Sequence, residues 1–316
     1  MNTLTPRRRP LALAASAALA LTMVGCGTGS GTTATPGGSA SGDTSGVTIA
    51  GVTFQKDSTL AALVPDKVAK SGKLTAIQFD NSPADTFLDK NNRLAGWGPD
   101  LARATASLLG LQFAADVSGA FDTFIPSIDN GRYDTSWASI IVTPDRLKTV
   151  DIVAVHQSTT GVITKEGAGI KIAKPEDLCG LRVGALAGSA FLNQIDEIVV
   201  TCKQAGLKAL TVDSFPQQAA AQLAVSSDRI DAFMTAKGQL TWLLSDGGIK
   251  GFEIQPLDYQ PNLEGIAVGK NSGMTPVLTA ALNKMIKDGS YAKILDNWHV
   301  TFGHVDQAVA NPAVAK

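Results

Sequence analysis

Histidine and cysteine are scarce in these 316 residues, three of each. His156, His299 and His304 share no ligand spacing with Cys26, Cys179 and Cys202, and no CxxC occurs. No metal centre and no other cofactor is therefore expected. Charge is balanced, with 27 Lys+Arg against 28 Asp+Glu. Arg7, Arg8 and Arg9 form the basic run nearest to a tract, which argues against a nucleic-acid binder. Beyond residue 25 no stretch is apolar for the roughly 20 residues that a spanning helix needs. No short internal repeat is present either. What the chain does have is 44% hydrophobic residues, ample for one large or two medium cores.

The first residues look processed rather than folded. Three arginines precede an uncharged, mostly apolar run over 11–24, and Gly25-Cys26 closes it. That is the pattern of a signal peptide, 1–25. Leu21-Thr22-Met23-Val24-Gly25-Cys26 resembles a bacterial lipobox, departing at Met23, where Leu is usual. The resemblance implies cleavage before Cys26 and a lipid on its sulfur; an ordinary secreted protein with a chance cysteine is the alternative. Cleavage would remove Arg7, Arg8 and Arg9 and no acid, leaving 24 basic against 28 acidic residues. Residues 26–46 are almost all Gly, Ser, Thr and Ala, a flexible tether spanning about 25 Å. With Cys26 assigned to lipid, Cys179 and Cys202 are an even pair in an exported protein, and a disulfide is expected. Two buried thiols are the alternative.

The body alternates strand and helix. An extension, 47–72, carries a short helix over 58–71, stopped by Gly72. A strand over 74–79 and a polar loop over 80–92 follow. Pro99 opens a helix that Gly110 stops, with Leu101, Ala104 and Leu108 on one face. Strands are expected near 135–142 and 150–155. The second half repeats the rhythm, with strands at 161–164, 182–186, 207–212, 230–234 and 265–268. Helices are expected at 189–204, 217–225 and 236–245, then a long one with Pro276 in its first turn. The alternation implies α/β with helices on both sheet faces, more naturally in two lobes than one.

Seven segments, in one collinear order over about 57–302, resemble the polar amino-acid solute-binding proteins of ABC importers. They begin at Ala95-Gly96-Trp97-Gly98-Pro99-Asp100-Leu101-Ala102, Phe121-Asp122-Thr123-Phe124-Ile125-Pro126-Ser127 and Gly131-Arg132-Tyr133-Asp134. Thr143-Pro144-Asp145-Arg146 with Val150-Asp151 comes next, then Asp228-Arg229-Ile230-Asp231-Ala232. Gly265-Ile266-Ala267-Val268 and the run from Asp288-Gly289-Ser290-Tyr291 to Trp298 complete the set. The resemblance implies a two-lobed periplasmic-binding-protein-like fold of type II, each lobe a mixed sheet flanked by helices. Lobe 1 would be 73–155 plus 265–303, lobe 2 would be 161–259, and the hinge crossovers 156–160 and 260–264. Residues 304–316 would be a disordered tail.

The same resemblance selects candidate ligand contacts. Arg146 matches a carboxylate-binding arginine, and a guanidinium suits that task through paired charge-assisted hydrogen bonds. Ser139, with Ala138 beside it, falls where lobe 1 meets the ligand. Ser189 opens a helix whose free N–H groups suit an anion, and Phe121 falls at an apolar wall. Asp80 stands where an acid often meets the ligand's amine or cationic side chain. Asp85 lies further along that loop, where a solvated turn is the simpler reading. There are departures: Ile141 replaces a Ser or Thr, Ala190 a Thr, and Ala236 the second-lobe acid that pairs with an α-amine. An ammonium buried without a carboxylate is costly, so the expected ligand has a carboxylate but a displaced, modified or missing α-amine.

The function implied is capture of a small polar solute for a membrane permease and its ATPase, by a lipid-anchored extracytoplasmic protein. It would be a monomer that docks and leaves, and not an enzyme. A dehydratase on the same scaffold is one rival; it would use His156 and Glu264, which flank the two crossovers. A sensory or adaptor lipoprotein is the other.

Overall fold

Two strands carry the molecule. Asp151–Lys165 and Tyr259–Val268 run antiparallel, pairing Val268 with Asp151, Glu264 with His156 and Tyr259 with Thr160. The computed structural model describes residues 46–245 and 248–313, all within one unit, Thr44–Lys316. The signal peptide, Cys26 and the tether to residue 45 lie outside the described residues.

Around this pair stands one ten-stranded sheet. On one side, Thr135–Ile141 joins Tyr259–Val268 antiparallel, and Lys73–Phe79 and Gln112–Ser118 extend it in parallel. On the other, Ala232–Ala236 joins Asp151–Lys165 antiparallel, and Arg182–Leu186 and Thr211–Phe215 extend it in parallel. This is the expected type II architecture of two mixed lobes. The inner strands of each lobe sheet are covered on both faces, so they are mostly apolar and their side chains alternate between two cores. Ala232 and Met234 pack with Val183 and Ile195, while Phe233 between them packs with Phe215 and Leu240.

Several elements differ from the sequence expectation. The strands expected at 150–155 and 161–164 are one 15-residue strand that passes through the crossover. Its polar middle still obeys the period of two: His156, Ser158 and Thr160 are buried, while Gln157 is exposed and Thr159 half-buried. The 304–316 tail is corrected in the same way. His304–Ala310 is a strand paired with Asp151–Lys165, and Asn311 donates to Asp151 and accepts from the Ile152 amide. The helix expected over 58–71 is two, Ser58–Ala61 and Asp66–Ser71, because Pro65 cannot continue the first. Ahead of them a hairpin, Val47–Ile49 with Val52–Phe54, buries Ile49 and Phe54 in the lobe 1 core. Strand Gln112–Ser118 gives little sequence signal because it is an edge strand whose residues are all half-buried or exposed, so no apolar face is encoded.

Glycine decides one junction near the cleft. Helix Trp97–Leu109 begins against Trp137, and a Cβ on Gly98 would lie 2.1 Å from the Trp137 carbonyl oxygen. In lobe 2, Cys179 and Cys202 are disulfide-bonded, with Cα atoms 5.6 Å apart.

Candidate functional site

The lobes stand closed on each other, and two small adjoining chambers lie between them. The first, about 30 Å³, is lined from lobe 1 by Phe79, Phe121, Ala138, Ser139, Ile141 and Arg146. Lobe 2 contributes Leu186, Ser189, Ala190, Phe191, Gln218, Thr235 and Ala236. Five of the seven expected contacts therefore meet in one place: Phe121, Ala138, Ser139, Arg146 and Ser189.

Arg146 sits on helix Pro144–Thr149, capped by the Thr143 hydroxyl. Its Nη1 donates to the Ile141 carbonyl at 2.8 Å and its Nη2 to the Gly188 carbonyl of lobe 2 at 3.0 Å. Its Cζ lies 5.7 Å from the Phe121 ring centre. Among the described residues no carboxylate lies within ion-pair distance of it. Burial pulls its pKa down to about 10, still well above neutral, so the guanidinium stays charged.

Ser189 stands at the N-cap of helix Ala190–Gln204, yet its hydroxyl donates backward to the Leu186 carbonyl at 2.6 Å. The first amides of that helix are thus left uncapped by it, beside a chamber that Ala190 and Phe191 line. Ser139 holds φ +52°, a left-handed conformation that costs a non-glycine residue. Its hydroxyl donates to Glu264 Oε2 at 2.6 Å.

The two aspartates part company. Asp80 is half-buried beside Gly119, where a Cβ would lie 2.9 Å from its Oδ2, and it does not line either chamber. Asp85 is only 8% exposed. It accepts from Trp97 Nε1 at 2.8 Å and from Gln239 Nε2, in lobe 2, at 3.0 Å. The solvated-turn reading of Asp85 is corrected, because Gln239 and Trp97 close over the loop.

Asp85 lines the second chamber, about 140 Å³, with His156, Ser158, Trp242, Trp298 and Phe302. Ala236, Gln239 and Glu264 border both chambers. Glu264 accepts from Ser139 and Ser158, and its Oε2 lies 3.2 Å from His156 Nδ1. The other imidazole nitrogen lies 3.2 Å from the Phe302 carbonyl, so both ring nitrogens face acceptors. That suits the doubly protonated ring. Burial opposes the charge on His156, but the Glu264 hydrogen bond and charge outweigh it and raise the pKa. Asp85 is pushed up to about 6, by burial first and then by the Glu264 charge.

Sequence reasoning missed Gln218 and Gln239. Gln239 ties the lobes, since its Nε2 also reaches Ser82 Oγ while its Oε1 accepts from Thr235. Gln218 is 2% exposed and its Nε2 has no hydrogen-bond partner among the described residues. Neither belongs to a segment that stood out. No group of three His, Cys, Asp or Glu side chains among the described residues could hold a metal.

Residues 75–301 match the family model of bacterial extracellular solute-binding proteins, family 3. The chain belongs to that family. Among relatives of family 3, the arginine-binding protein ArgT of Corynebacterium glutamicum is 26% identical over 256 residues, covering 80% of this chain and 82% of that one. A solved ancestral arginine-binding protein bound to arginine is 30% identical, with TM-score 0.64 over 72% of this chain and 98% of that one. An ancestral amino acid-binding protein described as a precursor of cyclohexadienyl dehydratase shares the fold. Its TM-score is 0.65 at 24% identity, over 76% of this chain and 99% of that one. The resemblance read from the seven segments is thereby borne out for family and fold.

Proposed function

We propose that this protein captures a small polar solute bearing a carboxylate, an amino acid or amino-acid derivative, and hands it to the permease and ATPase of an ABC importer. Arg146 carries the reading: a charged guanidinium lines the cleft with no acidic partner among the described residues, and it bridges to lobe 2 at Gly188. A carboxylate could take paired hydrogen bonds from it, supported by the uncapped helix start at Ala190. The relatives named as arginine-binding favour an amino-acid ligand.

Hinge motion would admit it, since neither chamber as closed holds a whole amino acid. The crossing strands offer the bend, because their register shifts between Tyr259 and Pro261 and again between Glu264 and Gly265. A lipid on Cys26 and a monomeric state belong to the same proposal. The intact mass of protein extracted from membranes tests the lipid, because an unmodified Cys26 there would remove it.

Titration calorimetry with L-arginine, L-glutamine and their decarboxylated analogues tests capture. Binding should need the carboxylate and should vanish in Arg146→Met. Equal binding of the decarboxylated analogues would overturn it. The buried His156–Glu264 pair favours a second reading, a dehydratase-type enzyme. Recovery of an altered product instead of unchanged ligand would decide for it.

A further inference from the structure

We propose that the hinge-side chamber receives the cationic end of an elongated ligand, so that the preferred solute is a carboxylic acid with a guanidinium or ammonium at its far end and no required α-amine. This rests on the carboxylate reading of Arg146 and deepens it.

Charge placement argues for it. The lobe 2 wall of the first chamber is Leu186, Ala190, Phe191 and Ala236 beside neutral polar groups, with no acid. An α-ammonium held against that wall would be desolvated without a partner there. Among the described residues the carboxylates that line the chambers are Asp85, on the hinge-side chamber alone, and Glu264, on the wall between the two, 8% and 2% exposed. Glu264 is already met by the Ser139 and Ser158 hydroxyls and by His156 Nδ1. Among the described residues the hydrogen bonds to ionised Asp85 come from neutral donors, Trp97, Gln239 and Ser82, and the His156 charge offsets less than burial and the Glu264 charge impose. Burial and the Glu264 charge penalise that ionised form, and a ligand cation would relieve the penalty.

Shape argues the same way. About 140 Å³ is roughly the share of four or five waters, room for a small cationic head group. Trp242, Trp298 and Phe302 are part of its walls, an aromatic lining of the kind that suits such a group. At the opposite end the orphaned amide of Gln218, buried in the lining of the first chamber, offers a carboxylate one more donor beside Arg146. The chambers share Ala236, Gln239 and Glu264 as a common wall, so a ligand chain of a few methylenes would reach from one to the other once the lobes part and the Gln239 contacts to Ser82 and Asp85 give way.

Calorimetry with four probes tests it: 4-guanidinobutanoate, L-arginine, L-norvaline and agmatine. The expected order has 4-guanidinobutanoate at least as tight as arginine, and norvaline and agmatine each at least tenfold weaker. Arginine tenfold tighter than 4-guanidinobutanoate, or norvaline equal to arginine, would overturn the inference while leaving carboxylate capture intact. Agmatine equal to 4-guanidinobutanoate, or no binding by any carboxylate, would overturn both. Ala236→Asp should move the arginine to 4-guanidinobutanoate ratio about tenfold toward arginine. Asp85→Asn should weaken 4-guanidinobutanoate about tenfold without lowering the melting temperature. An unchanged ratio in the first and unchanged affinity in the second would count against the inference.

Discussion

One end of the cleft holds Arg146, a cation whose protein partners are two backbone carbonyls. The other holds Asp85, His156 and Glu264, a buried cluster knit together by Ser139, Ser158, Trp97 and Gln239. The first end is simple, because one charge waits for a ligand to complete it. The second is nearly complete within the protein and holds the Asp85 carboxylate against burial and the Glu264 charge. A site of this kind orients its ligand by polarity, and the two ends should fail differently when altered.

Arg146→Met attacks the simple end and should have the largest effect. Loss of paired charge-assisted hydrogen bonds of about 1.5–3 kcal/mol each implies at least a hundredfold weaker binding of any carboxylate probe. Its contact with Gly188 also ties the lobes, so scattering of the ligand-free variant should be compared with the parent. A binding loss with unchanged closure would assign the effect to the carboxylate itself.

Gln239→Leu attacks the junction. It removes the bridge from lobe 2 to Ser82 and Asp85 while roughly keeping the side chain's volume. About tenfold weaker binding is expected, with a more open ligand-free state by small-angle scattering. Unchanged affinity and shape would mean that Phe87 against Trp242, with ring centres 5.3 Å apart, suffices to hold the lobes there.

The two ends also differ in how far the sequence disclosed them. Arg146, Ser139 and Phe121 lie within or beside short contiguous segments with family likeness, and the structure brings them to one chamber. Asp85 owes its burial to Gln239, 154 residues away, and to Trp97. No local pattern encodes such a contact, so a polar loop was the natural reading. His156 and Glu264 were legible as flanking the crossovers, but their hydrogen bond depends on strand register. The fold was more legible than the site, because glycine stops and apolar periodicity act locally. It failed where polar residues such as Gln157 and Thr159 hid a continuous strand.

A pH series sharpens the comparison further. A carboxyl whose folded pKa is raised, like Asp85, stabilises the fold below its unfolded pKa, and that contribution is lost as pH rises through about 6. His156, also raised, loses its contribution in the same direction. Between pH 8 and 5.5 the ligand-free protein should therefore gain thermal stability as pH falls. A cationic carboxylate should bind several-fold more weakly over the same range, because protonated Asp85 no longer attracts it. In Asp85→Asn both slopes should flatten and stability at pH 7.5 should rise by about 3 kcal/mol. A slope that persists in Asp85→Asn would assign it to His156.

The smallest effect on the cleft should come from the disulfide, although its effect on the fold is large. Cys202 is fully buried near the end of helix Ala190–Gln204, whose start borders the first chamber. At 1.5 Å per residue the bond lies about 18 Å from that start. Replacing both cysteines by alanine should destabilise the protein by about 3 kcal/mol in the chain-entropy account. Because the constraint acts on the unfolded chain, ligand affinity well below the melting temperature should stay within about twofold of the parent. A larger loss would mean that the disulfide sets the helix start at Ala190 and that the carboxylate end is less self-contained than Arg146 alone implies.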